Sequence, residues 1–321
     1  MFIESFKVIS LAIFELVFLG SVGFFLVKRA VIGHDGLRLL SDLVIGLFLP
    51  FFMFTEIVSK FSFNLYPDWW MFPLYSFFIT VVGFACGHLF LFFDKSLCSD
   101  KEEFLGVTSF QNSGYLPLPL VAVLLPQGLA DQMYIYIFLF LIGFNMVIFS
   151  FGAMLLCPKG ACLKFDIKHM LSAPVVATVA ALLCVFFRVH ALFPQVLLRP
   201  MATLGKCAIP LSILVVGGNL ALFKSKSVTY FKSISFALIA KLIVMPLIFL
   251  GLIIWLKPRP LVGFLLLLQA AMPPAALLSV ISKKHGHRDH LISQSIFLGH
   301  LASIVTIPLF LALFWAISGT F

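Results

Sequence analysis

Two stretches of the sequence place amides and prolines inside long apolar runs. The first reads FQNSGYLPLPL at 110–120, and the second reads LLLLQAAMPPAALLSVISKK at 265–284. Proline inside a helix removes a hydrogen bond and clashes with the carbonyl four residues back. A helix broken there exposes half-helix ends, whose free N–H groups carry partial positive charge and suit an anion. These residues therefore predict an anion-binding site, with ordinary proline kinks as the alternative.

The candidate substrate-binding residues at the two breaks are the amides, the prolines and their neighbours. They are Gln111, Asn112, Gly114, Tyr115, Pro117 and Pro119 in the first stretch and Gln269, Pro273 and Pro274 in the second. A further set lies within other apolar runs and comprises Asn145, Asn219 and Lys241. The two asparagines are also typical of hydrogen bonds that join helices. Lys241 is predicted to be buried, where it balances either a substrate carboxylate or a buried acid.

Two further polar residues inside apolar runs are candidates for proton coupling. Glu15 is expected near the middle of the first run, where burial disfavours its charged form. An interhelical hydrogen bond or ion pair, the latter with Lys206, is the favoured alternative for this residue. His300 lies in the last run, and histidine can change its charge near neutral pH. A hydrogen-bonded core histidine is the alternative there.

The composition predicts a membrane protein. The 321-residue chain is 62% hydrophobic, only 11% charged, and has a mean hydropathy of +1.13. Apolar runs of about 20 residues are typical of membrane-spanning helices, so the lipid bilayer is a predicted partner. The formal charge of +9 is scattered over short loops. This distribution indicates topology signals rather than a nucleic-acid surface.

The apolar runs predict an all-α fold with ten membrane-spanning helices. Their approximate limits are 7–27, 38–59, 69–93, 104–126, 132–156, 169–188, 198–223, 233–256, 260–282 and 290–318. The interrupted stretches fall in the fourth and ninth helices. Lys and Arg concentrate in the loops after the odd-numbered helices, so both termini are predicted to lie outside. The compact chain suggests a bacterial inner membrane, with a eukaryotic endomembrane as the alternative.

Weak internal similarity predicts two five-helix repeats, at 1–156 and 169–321. Gln111 and Gln269 recur at nearly the same separation as Pro50 and Pro210. Because five is an odd number, the second repeat must be inverted in the membrane, which is the plan of many secondary transporters. Paired, proline-interrupted helices in such repeats indicate the binding site.

No motif predicts an enzyme, a metal or a cofactor. The six cysteines include Cys157 and Cys162 in CPKGAC, which lacks the further ligands of a metal site. No phosphate loop, zinc-protease motif or nucleophile elbow occurs in the sequence.

The chain resembles the auxin efflux carrier family, which includes plant PIN and PIN-like carriers and bacterial organic-anion permeases. The resemblance is carried by QNSGYLPLPL at 111–120, IPLSILVVGGNLALF at 209–223, KLIVMPL at 241–247, AAMPPAALLSVISKKHG at 270–286 and SIVTIPLFLALF at 303–314. It implies a fold similar to bile-acid symporters. Helices 1, 2, 6 and 7 would form a scaffold, and helices 3–5 and 8–10 a mobile transport domain. Homodimers and elevator-like transport are also implied.

Three residues match the motifs of this family, and two depart from them. Asn112, Pro119 and Pro273 occupy positions of the family's broken-helix motifs. Tyr115 stands where PIN-like carriers have an amide, and Pro117 where many bacterial members have glycine.

Together these features predict a secondary transporter that exports a small organic anion, either an auxin-like carboxylate or a dicarboxylate. The substrate is expected at the proline crossover, the point where the interrupted fourth and ninth helices would cross. The alternatives are a sodium- or proton-coupled symporter of the bile-acid type and a membrane sensor that binds without transport.

Overall fold

The described structure is helical throughout its spanning segments. A computed structural model describes residues 2–157, 171–223, 230–284 and 290–319. We number its helices α1 Phe2–Lys28, α2 His34–Lys60, α3 Met71–Phe93, α4 Lys101–Ser109, α5 Pro117–Leu124, α6 Gln127–Leu155, α7 Ala173–Phe186, α8 Gln195–Ala221, α9 Phe231–Leu256, α10 Pro260–Ala271, α11 Leu277–Lys284 and α12 His290–Ser318. Short 3-10 turns at Lys95–Asp100 and Val189–Leu192 connect some of them.

Seven of these helices, α1, α2, α3, α6, α8, α9 and α12, are long and apolar enough to cross a membrane alone, within the described residues. The all-α, multi-pass prediction is therefore confirmed, whereas ten separate spans are not. Predicted spans four and nine are each divided into two short helices, α4 with α5 and α10 with α11. Predicted span six coincides with the 14-residue α7. Its first residues, together with Cys162 and parts of the second predicted repeat, lie outside the described ranges.

Both predicted interruptions are present, and proline marks each one. Helix α4 ends before an extended Phe110 (φ −110°, ψ 121°), and α10 ends before an extended Met272 (φ −68°, ψ 143°). Pro117 opens α5, where a helix does not need the N–H that proline lacks. The first interruption therefore starts a new helix rather than kinking an old one.

Wide helical turns precede two other prolines. Helix α2 has a π turn at Val44–Phe48 just before Pro50, and α9 has one at Ala240–Val244 just before Pro246. A π turn gives room to a proline ring that would otherwise clash with the preceding turn. Lys241 lies inside the turn of α9, so local backbone geometry determines where this lysine sits.

The helices pack in two sets of neighbours. Helix α1 packs along the second half of α8, and α2 packs on α7 and on the first half of α8. In the other set α3 packs on α4 and α6, while α10 packs on α9 and α12. Helix α12 also packs along α1 and so joins the two sets.

Glycines allow α1 and α8 to approach backbone to backbone. A Cβ atom added at Gly217 would collide with the carbonyl oxygen of Gly20, and one at Gly23 with that of Leu214. Small residues that permit such contact are a common source of helix association in membranes, where lipid removes the hydrophobic driving force. The close contact of α1 with α8 therefore requires glycine, which has no side chain, at these positions.

We expect Gly217→Ala to lower the thermal stability of the purified protein. Overpacking typically costs about 1–3 kcal/mol, which for a chain of this length corresponds to a fall of about 1.5–4.5 °C in unfolding temperature. The control is Gly251→Ala in α9, whose added Cβ would have no neighbour within 4 Å. Thermal unfolding in detergent would be followed by fluorescence. An equal shift in both variants would contradict the close α1–α8 contact.

Candidate functional site

The two interruptions pair with each other. Gln111 and Pro274 form an isolated antiparallel bridge. The N–H of Asn112 donates to the Pro273 carbonyl at 2.8 Å, and the N–H of Ala275 donates to the Phe110 carbonyl at 3.1 Å. Backbone groups freed by the breaks thus bond across the crossing instead of remaining unpaired in lipid.

Side-chain amides support this crossover from both sides. Gln269 is fully buried and donates from Nε2 to the Ser113 carbonyl at 3.2 Å. Gln111, also fully buried, accepts from Lys241 Nζ at 3.4 Å. The remaining amide atoms, Nε2 of Gln111 and Oε1 of Gln269, have no hydrogen-bond partner among the described residues. The crossover therefore holds one buried donor and one buried acceptor that no described protein group satisfies, and a bound polar molecule could pair with them.

Lys241 is fully buried without a carboxylate partner in the described structure. Its only recorded polar contact is the Gln111 amide oxygen. The prediction that Lys241 is buried is confirmed, and of its two predicted partners, a substrate carboxylate or a buried acid, no acid pairs with it among the described residues. The position of its π turn places it beside the crossover, where an amide rather than an acid faces it. An uncompensated cation inside a membrane protein is costly and indicates function.

His300 on α12 meets Asn112 at the crossover. Its Nδ1 lies 2.7 Å from the Ile296 carbonyl oxygen, which can only accept, so Nδ1 carries a proton. In the neutral ring Nε2 is then an acceptor, and Asn112 Nδ2 donates to it at 3.3 Å. Ser303, one turn later, donates to the His300 carbonyl at 2.7 Å. The tautomer of His300 is thus fixed by its own helix.

A cavity of about 220 Å³ lies beside His300. It is bordered by α1, α5, α8 and α12, between the two sets of packed helices, and it is open on one side. Its walls are almost entirely apolar and include Leu16, Val17, Leu120, Ile213, Leu220 and Ile307. His300 and Ser303 are polar residues that line it. Binding pockets for small molecules commonly combine an apolar wall with a few placed polar groups.

The structure brings some predicted residues to this region and leaves others elsewhere. Gly114 packs near Leu141, Pro117 and Pro119 are buried at the start of α5, and the Tyr115 hydroxyl lies 3.3 Å from Ser41 Oγ on α2. In contrast, Asn145 donates to the Leu141 carbonyl of its own helix at 2.8 Å. That bond ties the Asn145 amide to its own helix.

Asn219 and Glu15 are also not part of the crossover. Asn219 is exposed near the end of α8 and does not line the cavity described above. Glu15 and Lys206 are both exposed, and the described residues contain no ion pair between them. The predicted pair of Glu15 with Lys206 is therefore wrong in the single chain, because the two side chains lie on outward faces of α1 and α8.

Three serines near the site were not predicted. Ser113 belongs to the first broken stretch, and Ser303 follows His300 at the three-residue spacing of one helix face, so both had a signal in the sequence. Ser41 had none, since its contact with Tyr115 joins residues far apart in the chain.

A multi-pass helical protein whose broken helices cross beside a mainly apolar cavity has the features of a membrane transporter. The model of the family described as "Membrane transport protein" matches the chain twice, over residues 8–165 and 153–311. The chain therefore belongs to this family, that of the auxin efflux carriers, and the resemblance seen in the sequence is confirmed. It is an integral, multi-pass membrane protein of a transporter family rather than an enzyme family.

One curated relative supports the assignment. A stretch of 99 residues is 32% identical to "Protein PIN-LIKES 2" of Arabidopsis thaliana. The match covers 30% of this chain and 21% of that protein, so the similarity spans about a fifth of the relative's length.

We expect Lys241→Met to raise thermal stability and abolish transport. Methionine has a similar volume and removes a buried charge that no described acid compensates, and replacing buried charges by apolar groups often stabilises a fold by about 1–4 kcal/mol. The matched control is Lys206→Met, which removes an exposed lysine. Unfolding temperature and anion flux would be measured on both variants. Loss of stability in Lys241→Met would indicate a purely structural lysine.

Proposed function

We propose that this protein is a secondary transporter of small organic anions, with its substrate site at the crossover and the adjoining cavity. The observation that carries the proposal is the pairing of two broken helices next to a mainly apolar cavity. Transporters built on inverted repeats bind substrates at such interruptions.

The proposed membrane topology counts each broken helix as one crossing. With α4–α5 and α10–α11 as single crossings and α7 as a shorter one, the chain has ten spans in two inverted repeats. The double family match supports a duplication. Both termini would face outward, in a bacterial inner membrane or, alternatively, a eukaryotic endomembrane.

The proposed mechanism moves one set of helices past the other. Helices α1, α2, α7 and α8 form the scaffold, and the remaining helices form the transport domain. The cavity lies between α1 and α8 on one side and α5 and α12 on the other, so it is lined by both parts. A homodimer through the scaffold follows from the family resemblance, with Glu15 and Lys206 exposed on that surface.

The cavity favours an anion with an apolar body, such as an aromatic monocarboxylate. Its walls are almost wholly apolar, and its lining contains no described Lys or Arg. A dicarboxylate would place its second charge against apolar wall, and burying an unpaired charge costs several kcal/mol. Lys241 and the His300 region supply the polar and positive side of the site.

The driving force in this proposal is an electrochemical gradient. No described carboxylate lies at the crossover to hold sodium by oxygen ligands, so sodium coupling is not part of the proposal. An inside-negative potential expels a monoanion with about 2.3 kcal/mol per charge per 100 mV. Export is therefore the expected direction for an anion that moves without a proton. An anion that moves together with one proton is instead driven by the concentration gradients of the anion and the proton.

Flux in proteoliposomes tests the function. We expect efflux of labelled indole-3-acetate, used as an aromatic probe, to exceed that of malate and malonate by about tenfold or more, a difference of about 1.4 kcal/mol. Leu220→Trp should reduce this efflux because the indole ring fills the cavity. Leu247→Trp, at an exposed position of α9, is the control.

The outcomes separate the rival functions. Binding of the aromatic acid without flux under any gradient would support a sensor instead of a transporter. Flux that Leu220→Trp and Leu247→Trp affect equally would retain the transporter but reject this cavity as its site.

The elevator mechanism predicts that joining the scaffold to the transport domain stops flux. Lys60 of α2 forms an ion pair with Glu56 at 2.6 Å and also reaches Asp131 of α6 at 2.9 Å, across the proposed boundary. In a background without native cysteines, Lys60→Cys with Asp131→Cys would be joined by a short bifunctional thiol reagent. We expect flux to stop and to recover on reduction.

The control joins two positions inside the transport domain. Asp94 and Lys232 form an ion pair at 2.7 Å, and Lys232 helps to hold the pKa of the Asp94 carboxyl down to about 2. Linking Asp94→Cys to Lys232→Cys should leave flux intact. Undiminished flux in the linked Lys60–Asp131 variant would reject relative movement of the two parts.

A further inference from the structure

We propose that His300 is a proton-binding site whose protonated ring binds the anion in the cavity. This inference rests on the proposed function and identifies the group that recognises the carboxylate. His300 lines the cavity and also bonds to the crossover through Asn112. Among the described residues, His300 thus connects the cavity with the crossover through the hydrogen bond of its side chain to Asn112.

The hydrogen bonds of His300 distinguish its two protonation states. Because Nδ1–H donates to the Ile296 carbonyl, only Nε2 is available to take up a proton. In the neutral ring Nε2 accepts from Asn112 Nδ2. A proton on Nε2 turns that acceptor into a donor, which cannot face the donor Nδ2. Protonation therefore requires one of two changes. Either the Asn112 amide rotates so that its oxygen accepts from Nε2–H, or Nε2–H donates to a different acceptor.

An anion in the cavity is the acceptor that this change favours. The protonated ring carries a full positive charge at the wall of an apolar cavity, where charge-assisted hydrogen bonds are strong. A carboxylate there pairs with the imidazolium, whereas the neutral ring offers it no N–H from Nε2. Binding of one anion is thus linked to binding of one proton, and acid strengthens anion binding.

No other charged side chain in the described structure lines the cavity. On α9, Lys241 is directed to Gln111, and on the crossover Tyr115 is directed to Ser41. Glu15 of α1 is exposed, and Glu103 of α4 accepts from the Leu291 N–H at the start of α12, more than two turns before His300. The residues of α5 and α8 that line the cavity are not titratable.

A matched histidine provides the control. His88 on α3 also bonds its Nδ1 to the carbonyl four residues earlier, Phe84, at 3.0 Å. It lies outside the cavity that His300 lines. His88→Gln therefore removes a histidine with the same local bond but without access to this site.

Anion binding as a function of pH tests the proposal. Labelled indole-3-acetate and naphthalene-2-sulfonate, an aromatic anion that does not titrate in this range, would be bound to the full chain in nanodiscs between pH 5.5 and 8. We expect affinity for both to fall by up to about tenfold per pH unit above the ionisation of the site. His300→Gln should flatten this dependence, and His88→Gln should retain it.

Proton uptake gives a second measurement that does not depend on a variant that folds. Wild-type protein would be saturated with naphthalene-2-sulfonate in weakly buffered solution near neutral pH. We expect the protein to take up protons from the solution as the anion binds, approaching one proton per anion. Binding without proton uptake, or a pH dependence that persists in folded His300→Gln, would overturn the proposal. Absence of anion binding at every pH would instead reject the proposed function itself.

Discussion

The structure depends on one constraint, which is that backbone polar groups inside a membrane need partners from the protein. A helix that stops in mid-span leaves backbone groups unpaired, so either interrupted helix alone would violate this constraint. Together they satisfy it, because Asn112 and Ala275 donate across the crossing to carbonyls of the opposite segment. Neither interruption is stable without the other, so the two halves of the chain must assemble around this point.

The crossover in turn determines where polar side chains collect. Gln111 and Gln269 precede the prolines and are held fully buried by the bridge, so each keeps an atom without a described partner. The π turn before Pro246 brings Lys241 against Gln111. Unsatisfied amides and an uncompensated lysine weaken stability, and natural proteins retain such features chiefly where they serve a function.

The cavity adds a second kind of environment to this polar centre. Close contact between Gly20 and Gly217 sets the spacing of α1 and α8, and these helices form one wall of the cavity. His300 belongs to the other wall and reaches the crossover through Asn112. The apolar body of a substrate and its charged group therefore have different surroundings within one site, which is the basis of the substrate class that we propose.

The sequence by itself determined the all-α membrane fold, both helix breaks and the burial of Lys241, because hydropathy and proline geometry act through local chain chemistry. Only the tertiary structure decided which groups meet. Asn112 and His300 are 188 residues apart, and the sequence held no signal for their contact. The pair expected between Glu15 and Lys206 failed for the same reason. Helix rotation and packing decide which side chains face each other, and those depend on the whole assembly of helices.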